Sequence, residues 1–455
     1  MVELTKGKIT PTLVKFSIPL LISVAFQQLY NISDSVIAGK FAGENALAAV
    51  GASYPITMIF MAFAVGCNIG SSVIVSQLYG SGKFTRMKTA VNTSLIMSLV
   101  LSIILAVSGL VFCDGMLTLL DTPKNIFSDG SAYLGIYTLG LPLLFMYNVS
   151  SGIFTATGDS KTPLYLLIFS SLLNIVLDLV FVAGFGWGVR GVGWATFIAQ
   201  GLASILSMIT VFVKIKRINC PNTPKIFDFR IFSRIIWVTV PSILQQSFVS
   251  VGNLFIQTLI NGYGSSVVAG YSAAIKLNTF GIMSFAALGN ALSSFTAQNI
   301  GAKQLPRIKQ GFKSSFIICA CVVIPFTVAF FTVPEFFLGL FMKKHESMEA
   351  IKVGCTFLRI TSPFYMVISI KLLCDGVLRG AGAMKTFMIA TFTDLIIRVV
   401  LSFVLSDLLN SSTGIWLSWP IGWTVSTVLS LVFYFKNMWV PHGFVFEENT
   451  DEYNS

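Results

Sequence analysis

Two stretches of the chain are apolar over the length of a membrane-spanning helix and yet carry an acid. Residues 163–184 read PLYLLIFSSLLNIVLDLVFVAG, and residues 16–39 read FSIPLLISVAFQQLYNISDSVIAG. A helix of about 20 apolar residues crosses the hydrocarbon core of a bilayer. The first stretch contains Asp178 and the second contains Asp34. A carboxylate inside a membrane costs roughly 2.5–3.5 kcal/mol on insertion scales, so these acids indicate a function, most often the handling of ions or protons.

The composition of the whole chain is that of an integral membrane protein. Of its 455 residues, 55% are hydrophobic and only 11% are charged, whereas soluble domains carry about 25% charged residues. Apolar runs recur along the chain, which favours helices over a β-barrel. The net charge of +11 falls in short loops, where it acts as an orientation signal. The predicted partner is therefore the lipid bilayer and not a nucleic acid.

The sequence predicts an all-α membrane protein. Its twelve transmembrane helices should form two six-helix lobes related by pseudo-two-fold symmetry. The predicted spans are 13–38, 46–78, 90–112, 131–156, 163–184, 191–213, 234–260, 267–298, 312–333, 355–378, 386–408 and 414–435.

The basic residues predict the orientation of these spans. With both termini in the cytoplasm, cytoplasmic segments hold 20 Lys and Arg residues and external loops hold 7. Positive charge concentrates on the cytoplasmic side of membrane proteins. We therefore expect a multi-pass protein of the cell (plasma) membrane with both termini cytoplasmic.

The chain also repeats itself. Pro19 and Pro241 open matching helices 222 residues apart, and SQLYGSGK at 76–83 aligns with AQNIGAKQ at 297–304 at an offset of 221. GIFTATGDSKT at 152–162 aligns with GVLRGAGAMKT at 376–386 at an offset of 224. Three nearly equal offsets indicate an internal duplication. Two six-span halves of the same orientation can rock against each other around a central cavity, which is the geometry of alternating access.

The duplication predicts the domain organisation. An N-terminal lobe of helices 1–6 spans 1–216, a cytoplasmic linker spans 217–233, a C-terminal lobe of helices 7–12 spans 234–436, and a polar tail follows at 437–455.

The candidate coupling site lies in the N-terminal lobe. Asn174 and Asp178 are four residues apart and share one helix face, as do Thr196 and Gln200 on the next span. Adjacent antiparallel helices would bring these pairs together, with Asp34 arriving from the first span. Such an oxygen-rich cluster suits a hard monovalent cation or a shared proton. No metal is predicted beyond a sodium ion at Asp34, Asn174 and Asp178.

The first predicted helix has two further features. Pro19 interrupts its hydrogen-bond ladder and could couple charge at Asp34 to helix bending. Gln27, Tyr30 and Asn31 make the same helix unusually polar, so we expect them to line a substrate cavity together with Gln200.

The acidic cluster does not recur in the second half of the chain. At the repeat offsets, Ile256 corresponds to Asp34, Arg398 to Asn174 and Ser402 to Asp178. The C-terminal acids are Asp375, flanked by Lys371 and Arg379, and Asp394, followed by Arg398. Their four-residue spacing predicts local ion pairs.

Nothing in the sequence indicates catalysis. It contains no GxxxxGK[ST] phosphate-binding loop, so no ATP motor is predicted, and it shows no Ser/His/Asp or Cys/His arrangement. The two histidines make a histidine-based metal site improbable. We therefore expect a monomeric transporter that is not an enzyme, needs no cofactor and is driven by a gradient of H+ or Na+.

Together these residues resemble the multidrug and toxic compound extrusion (MATE) family over nearly the whole chain. The resemblance rests on Pro19 with Asp34, on Gln77-Leu-Tyr-Gly80 and on Gly158-Asp-Ser-Lys-Thr162. It also rests on Asn174 and Asp178 followed by GVRGVG at 188–193, and on the matching motifs of the second half.

The resemblance implies twelve helices in two V-shaped lobes and efflux of organic cations or drugs against an inward flux of protons or sodium. Relatives with a cation site in the N-terminal lobe would place it at Asp34, Asn174, Asp178 and Thr196. Other relatives use a glutamate on the seventh helix, but the corresponding stretch here, SFVSVGN at 247–253, has no carboxylate.

Three other function classes stay open at this level. A flippase for lipid-linked or polysaccharide precursors would suit Lys371 and Arg398, which could bind phosphate, but not the two aspartates. A major-facilitator carrier would share the six-plus-six plan, but it should have an acid in the loop GSGKFTRMK at 80–88. A receptor or scaffold would leave the intramembrane acids without a role.

Overall fold

The described part of the chain is helical throughout and contains no strand. The computed structural model describes residues 2–341 and 348–440, with all side chains in those ranges except six. The six side chains outside the description are those of Asp34, Ser35, Ala38, Glu44, Asn45 and Leu47.

Sixteen α-helices form two halves that repeat the same order of elements. The N-terminal half contains α1 (Ile9–Ile37), α2 (Glu44–Gly80), α3 (Phe84–Val111), α4 (Cys113–Leu119), α5 (Lys124–Leu139), α6 (Leu141–Ala156), α7 (Lys161–Asp178) and α8 (Gly188–Lys216). The C-terminal half contains α9 (Phe229–Asn261), α10 (Ser265–Gly301), α11 (Leu305–Thr332), α12 (Pro334–Leu338), α13 (Met348–Thr361), α14 (Tyr365–Ala381), α15 (Met384–Leu408) and α16 (Thr413–Phe435).

The predicted membrane spans agree with these helices. In the described ranges, 11 helices or helix runs are long and apolar enough to cross a bilayer, and a pair bent by 48°, α5 with α6, brings the number to 12. The bend follows from Pro142, which lies in the first turn of α6 and has no N–H to continue the ladder of α5. Pro363 lies at the corresponding break between α13 and α14.

The connection between the halves is shorter than predicted and is fastened to α3. Asp228 caps the start of α9 by accepting from the backbone N–H groups of Arg230 and Ile231, so the connection ends at 228 and not at 233. Asn92 donates to the Lys225 carbonyl at 3.1 Å, and the Lys225 N–H donates to Thr89 at 3.1 Å. The connection therefore lies against the N-terminal half.

The tail also begins later than predicted. Trp439 is buried, donates through Nε1 to the Tyr434 carbonyl at 3.1 Å and stacks on the Tyr434 ring. Residues 441–455 lie outside the described part of the chain.

An ion pair joins the start of α7 to the end of α8. Asp159 accepts from the Thr162 backbone at 3.1 Å and from its hydroxyl at 2.7 Å, and it pairs with Lys214. Burial alone would raise the pKa of Asp159, but hydrogen bonds from Lys214 and Thr162 and the charge of Lys214 outweigh it and lower the pKa. This tie holds α7 and α8 in the antiparallel register on which the candidate site depends.

Replacing Asp159 by asparagine should lower the thermal unfolding temperature at pH 7, because about 1–3 kcal/mol of charged hydrogen bonding is lost. Since the pKa of Asp159 is lowered, its contribution is present above the ordinary aspartate pKa and disappears as the pH falls through the lowered value. The difference between variant and wild type should therefore vanish in strong acid. The exposed Asp121→Asn is the control and should match wild type. Equal unfolding temperatures for wild type and Asp159→Asn at pH 7 would contradict this role.

Candidate functional site

The centre of the candidate site is a buried polar contact between α7 and α8. Asp178 is fully buried and Asn174 is 2% exposed, although both lie in an apolar span. In one orientation the Asn174 amide donates to Thr196 Oγ1 at 3.3 Å. In the flipped orientation it donates to Asp178 Oδ2 at 2.8 Å and accepts from the Thr196 backbone N–H at 3.2 Å. The flipped amide satisfies both neighbours, so Asn174 links the carboxylate to α8.

A change of helix type follows directly after the carboxylate. The α-helix α7 ends at Asp178 and continues as a π-helical segment, Leu179–Gly184. A second π-helical segment, Ala38–Ala42, follows α1, and the two segments contact each other. Short π-helical turns are frequent at functional sites. Neither segment could be predicted from the sequence, since hydropathy does not distinguish a π turn from an α turn.

For Asp34 the structure describes the backbone only. It lies near the end of α1, which packs against α7. Its side chain lies outside the described residues.

The exposed polar residues of α1 lie on the side of the helix opposite its exposed apolar face. Ile22, Leu29 and Val36 form an exposed apolar stripe at seven-residue spacing. Gln27 and Asn31 are also exposed, and at about 100° per residue they lie on the other side of the helix. A helix with one apolar and one polar exposed side faces lipid with the first and a wet space with the second.

Other features of α1 relate it to the C-terminal half. Gln28 donates to the Met283 sulfur of α10 at 3.0 Å. Tyr30 is half-buried.

Pro19 lies inside a continuous helix, and its carbonyl accepts from Ser23 Oγ at 2.8 Å. Pro19 has no N–H for the ladder, which leaves a weak point nearly three turns from the start of α1.

A small cavity opens beside Thr196. It is lined by Tyr133, Ile136, Tyr137, Gly140, Gly193, Thr196, Phe197 and Gln200. Gln200 therefore belongs to this cavity and not to the contact with Asn174 described above. Tyr133 and Tyr137 are not among the residues predicted from the sequence. Their four-residue spacing on α5 was the available signal, and their rings stack with centroids 6.4 Å apart.

The C-terminal half shows one predicted ion pair and lacks another. Lys371 Nζ lies 2.6 Å from Asp375 Oδ2, as the spacing predicted. The expected pair of Asp394 with Arg398 is wrong: Arg398 instead stacks over the Trp419 ring, 4.6 Å from its centroid. Arg398 Nε and Asp394 Oδ1 both lack a hydrogen-bond partner among the described residues. The guanidinium of Arg398 is attracted to the face of the Trp419 indole ring on α16. It binds there and not to the carboxylate of Asp394, one turn away on its own helix.

Arg379 also departs from the prediction. Its Nη2 donates to Asn290 Oδ1 of α10 at 2.5 Å, and it forms no ion pair with Asp375 among the described residues.

The two halves meet at the end of the molecule that carries the N-terminus. Gln77 of α2 donates to the Gly380 carbonyl at 3.1 Å, and Gln298 of α10 donates to the Ala156 carbonyl at 2.8 Å. Donors and acceptors exchange places under the repeat, so the contact has its own pseudo-two-fold symmetry. Gly80 and Gly301 allow it, because a Cβ at either position would overlap the backbone carbonyl of Gln298 or Gln77 respectively.

The N-terminal segment crosses the same contact. The Val2 N–H donates to the Gly158 carbonyl of the N-terminal half at 2.8 Å. Leu4 is fully buried, and its carbonyl accepts from Asn299 at 3.2 Å. Arg307 donates to the carbonyls of Lys6 and Gly7 at 2.7 and 2.9 Å. The segment thus ties both halves together at this end.

In residues 2–341 and 348–440, no group of three or more His, Cys, Asp or Glu side chains could hold a metal ion. The oxygen ligands at Asn174, Asp178 and Thr196 are of the kind that a proton or a sodium ion would use.

The match to a known protein family falls in two segments, one in each half of the chain. The family model MatE matches residues 19–180 and 241–404, so that its two segments begin at Pro19 and Pro241. The chain is similar to the probable multidrug resistance protein YoeA of Bacillus subtilis (strain 168), with 28% identity over 437 residues and coverage of 93% of each chain. It is also similar to the probable multidrug resistance protein YpnP of the same organism, with 27% identity, 96% of this chain and 97% of the relative.

Among solved structures, the fold matches a crystal structure of MATE in the straight conformation. The TM-score is 0.89 at 22% identity, over 96% of this chain and 98% of the other. At this level of identity the likeness concerns the fold alone.

Proposed function

The chain belongs to the MatE family of multidrug and toxic compound extrusion transporters, and from this premise we propose that it exports drugs and other organic cations in exchange for protons or sodium ions. It is a multi-pass membrane transporter and not an enzyme. In this proposal the coupling ion binds at Asp34, Asn174, Asp178 and Thr196, and no other cofactor takes part.

The buried contact of Asp178 with Asn174 carries the proposal. A fully buried carboxylate with an amide and a hydroxyl beside it has the ligands for a hard monovalent cation, and it can bind a proton instead. Because an uncompensated charge is costly inside a membrane, the occupied and the empty site favour different helix arrangements. A π-helical segment, Leu179–Gly184, directly follows Asp178, and in this proposal it takes part in the rearrangement.

The proposed substrate cavity lies between the halves. Gln27 and Asn31 offer polar contacts from the wet side of α1, with Tyr30 beside them. Gln200 lines the small cavity next to Thr196, whose other lining residues all belong to the N-terminal half, and its role in substrate binding is part of the proposal. Amide and phenol groups bind a cationic molecule without fixing one shape. Such a surface suits varied organic cations.

The symmetric contact at the N-terminal end supports alternating access. Gln77, Gln298 and the two glycines hold this end closed. We propose that the structure is the state closed towards the cytoplasm, that export requires this contact to open and close, and that a bend near Pro19 accompanies the change. The proposed lobes are residues 1–216 and 234–436.

A cargo that bears phosphate, as in a flippase, has less support. Lys371 is paired with Asp375, and Arg398 is 6% exposed and stacked on Trp419. Both cations are buried and already in contact with a partner, so the organic-cation proposal is preferred. We further propose a monomer in the plasma membrane with both termini in the cytoplasm.

The direct test is transport by the purified protein in proteoliposomes. Ethidium, a planar organic cation, would be followed while a pH gradient or a sodium gradient is imposed separately. A tenfold gradient supplies about 1.4 kcal/mol per coupled ion. We expect one gradient to drive ethidium against its own concentration difference, with the effect lost when an ionophore dissipates that gradient. Transport that responds to neither gradient would overturn the proposed function, and protein-free liposomes are the control.

A further inference from the structure

The C-terminal half contains a buried carboxylate whose partner is a cation of the chain itself. Asp375 and Lys371 of α14 are each 4% exposed, and Lys371 Nζ lies 2.6 Å from Asp375 Oδ2. Thr391 of the neighbouring helix α15 lies 3.4 Å from the same ammonium. The ammonium of Lys371 thus contacts both the carboxylate of its own helix and a hydroxyl of α15, while Asp375 Oδ1 has no hydrogen-bond partner among the described residues.

This group has the chemistry of the N-terminal site with one replacement. In both halves a buried aspartate lies near a threonine of the adjacent helix, Thr196 for Asp178 and Thr391 for Asp375. In the N-terminal half the link between them is the neutral amide of Asn174. In the C-terminal half it is an ammonium that is covalently attached to the chain and cannot leave.

Few other charges act on Asp375. Arg379 lies on the same helix with its guanidinium donating to Asn290, and Asp394 lies on α15. From α10, α11 and α16, which also pack against α14, no charged neighbour of Asp375 is found among the described residues. Lys371 is therefore the cation that directly compensates the carboxylate.

We propose that Lys371 is a specificity-determining residue that takes the place of a transported cation at Asp375 and so confines ion coupling to the N-terminal half. The statement that ion coupling is confined to the N-terminal half rests on the coupling proposed above for Asp178. The statement that Lys371 occupies the place of a cation at Asp375 does not depend on that coupling. A buried carboxylate whose fixed partner is removed must bind a proton or a free cation instead. Loss of Lys371 should therefore create a second ion site.

The test is labelling by dicyclohexylcarbodiimide, which reacts with protonated carboxyl groups in apolar surroundings, followed by mass spectrometry of the peptide that contains Asp375. At about pH 7 the wild type should be unlabelled at Asp375. Lys371→Met should be labelled at least about tenfold more, because each unit by which the carboxyl affinity for a proton rises increases the protonated fraction up to tenfold. Lys371→Arg keeps the charge and should remain unlabelled.

Several outcomes would overturn the proposal. One is labelling of Asp375 in the wild type at the level of Lys371→Met, and another is an unlabelled Asp375 in a folded Lys371→Met. If Lys371→Met does not fold, the labelling of Asp375 in the wild type alone decides between these outcomes. The double variant Lys371→Met/Asp375→Asn removes both buried charges and should therefore fold. Failure of the proposed function would appear separately, as ethidium transport that responds to neither gradient, and would leave the Asp375 result unchanged.

Discussion

Replacing Asp178 by asparagine is expected to abolish ion-coupled export while the protein stays folded in the membrane. Asparagine has nearly the same shape and can keep a hydrogen bond to the Asn174 amide, but it can neither bind a proton nor compensate a sodium ion. Since a fully buried charge is removed, stability should be unchanged or higher. Transport driven by the ion gradient should fall at least about tenfold, equivalent to 1.4 kcal/mol.

The measurement is ethidium transport in proteoliposomes under the gradient that drives the wild type, together with the thermal unfolding temperature. Asp394→Asn is a matched control, because it removes another buried carboxylate from the C-terminal half and should retain coupled transport. Gradient-driven export by Asp178→Asn at the wild-type rate would refute the role of this residue. Asp34→Asn should behave like Asp178→Asn, a prediction that rests on the sequence.

The second large effect is expected from the glycines at the contact between the halves. Alanine at Gly80 or Gly301 would place a Cβ against a backbone carbonyl of the opposite helix, and backbone cannot move aside as a side chain can. Overpacking of this kind costs about 1–3 kcal/mol, which shifts a two-state equilibrium by about five- to 150-fold. We expect the closed state to be depopulated and export to fall accordingly.

A single cysteine at Ala156 would report the change, in a background without the seven native cysteines. Ala156 is fully buried, and its carbonyl accepts from Gln298, so maleimide should react slowly in the parent and faster in Gly80→Ala or Gly301→Ala. Gly51→Ala on the same helix as Gly80 is the control, since its Cβ would meet nothing within 4 Å. Parent-like labelling and export in Gly301→Ala would count against a gate at this contact.

The sequence was sufficient for the spans and for part of the candidate site. A membrane span is a local property of about 20 residues, so all twelve predicted spans overlap helices of the structure. The four-residue spacings placed Asn174 with Asp178 on one face of α7, and the next span, α8, was the nearest partner. The contact of Asn174 with Thr196 could be expected because it joins helices that are adjacent in the chain.

Contacts between distant segments escaped the same reasoning. Spacing paired Asp394 with Arg398, but packing of α15 against α16 placed Trp419 under the guanidinium. In the sequence, Gln77 and Gln298 are recognisable only as equivalent positions of the repeat. No neighbouring residue indicated that each donates to a carbonyl of the opposite half. The crossing N-terminal segment gave no sequence signal, since Arg307 lies about 300 residues from its partners.

By itself the sequence determined that the chain is a duplicated, twelve-span membrane protein and that Asp34 and Asp178 lie inside spans of the first half. Those properties follow from hydropathy, charge counting and repeat offsets, each of which is read along the chain. Only the tertiary structure decided which polar groups satisfy one another. In a low-dielectric interior a buried charge takes the partner that helix packing brings nearest, and that partner can come from any part of the chain.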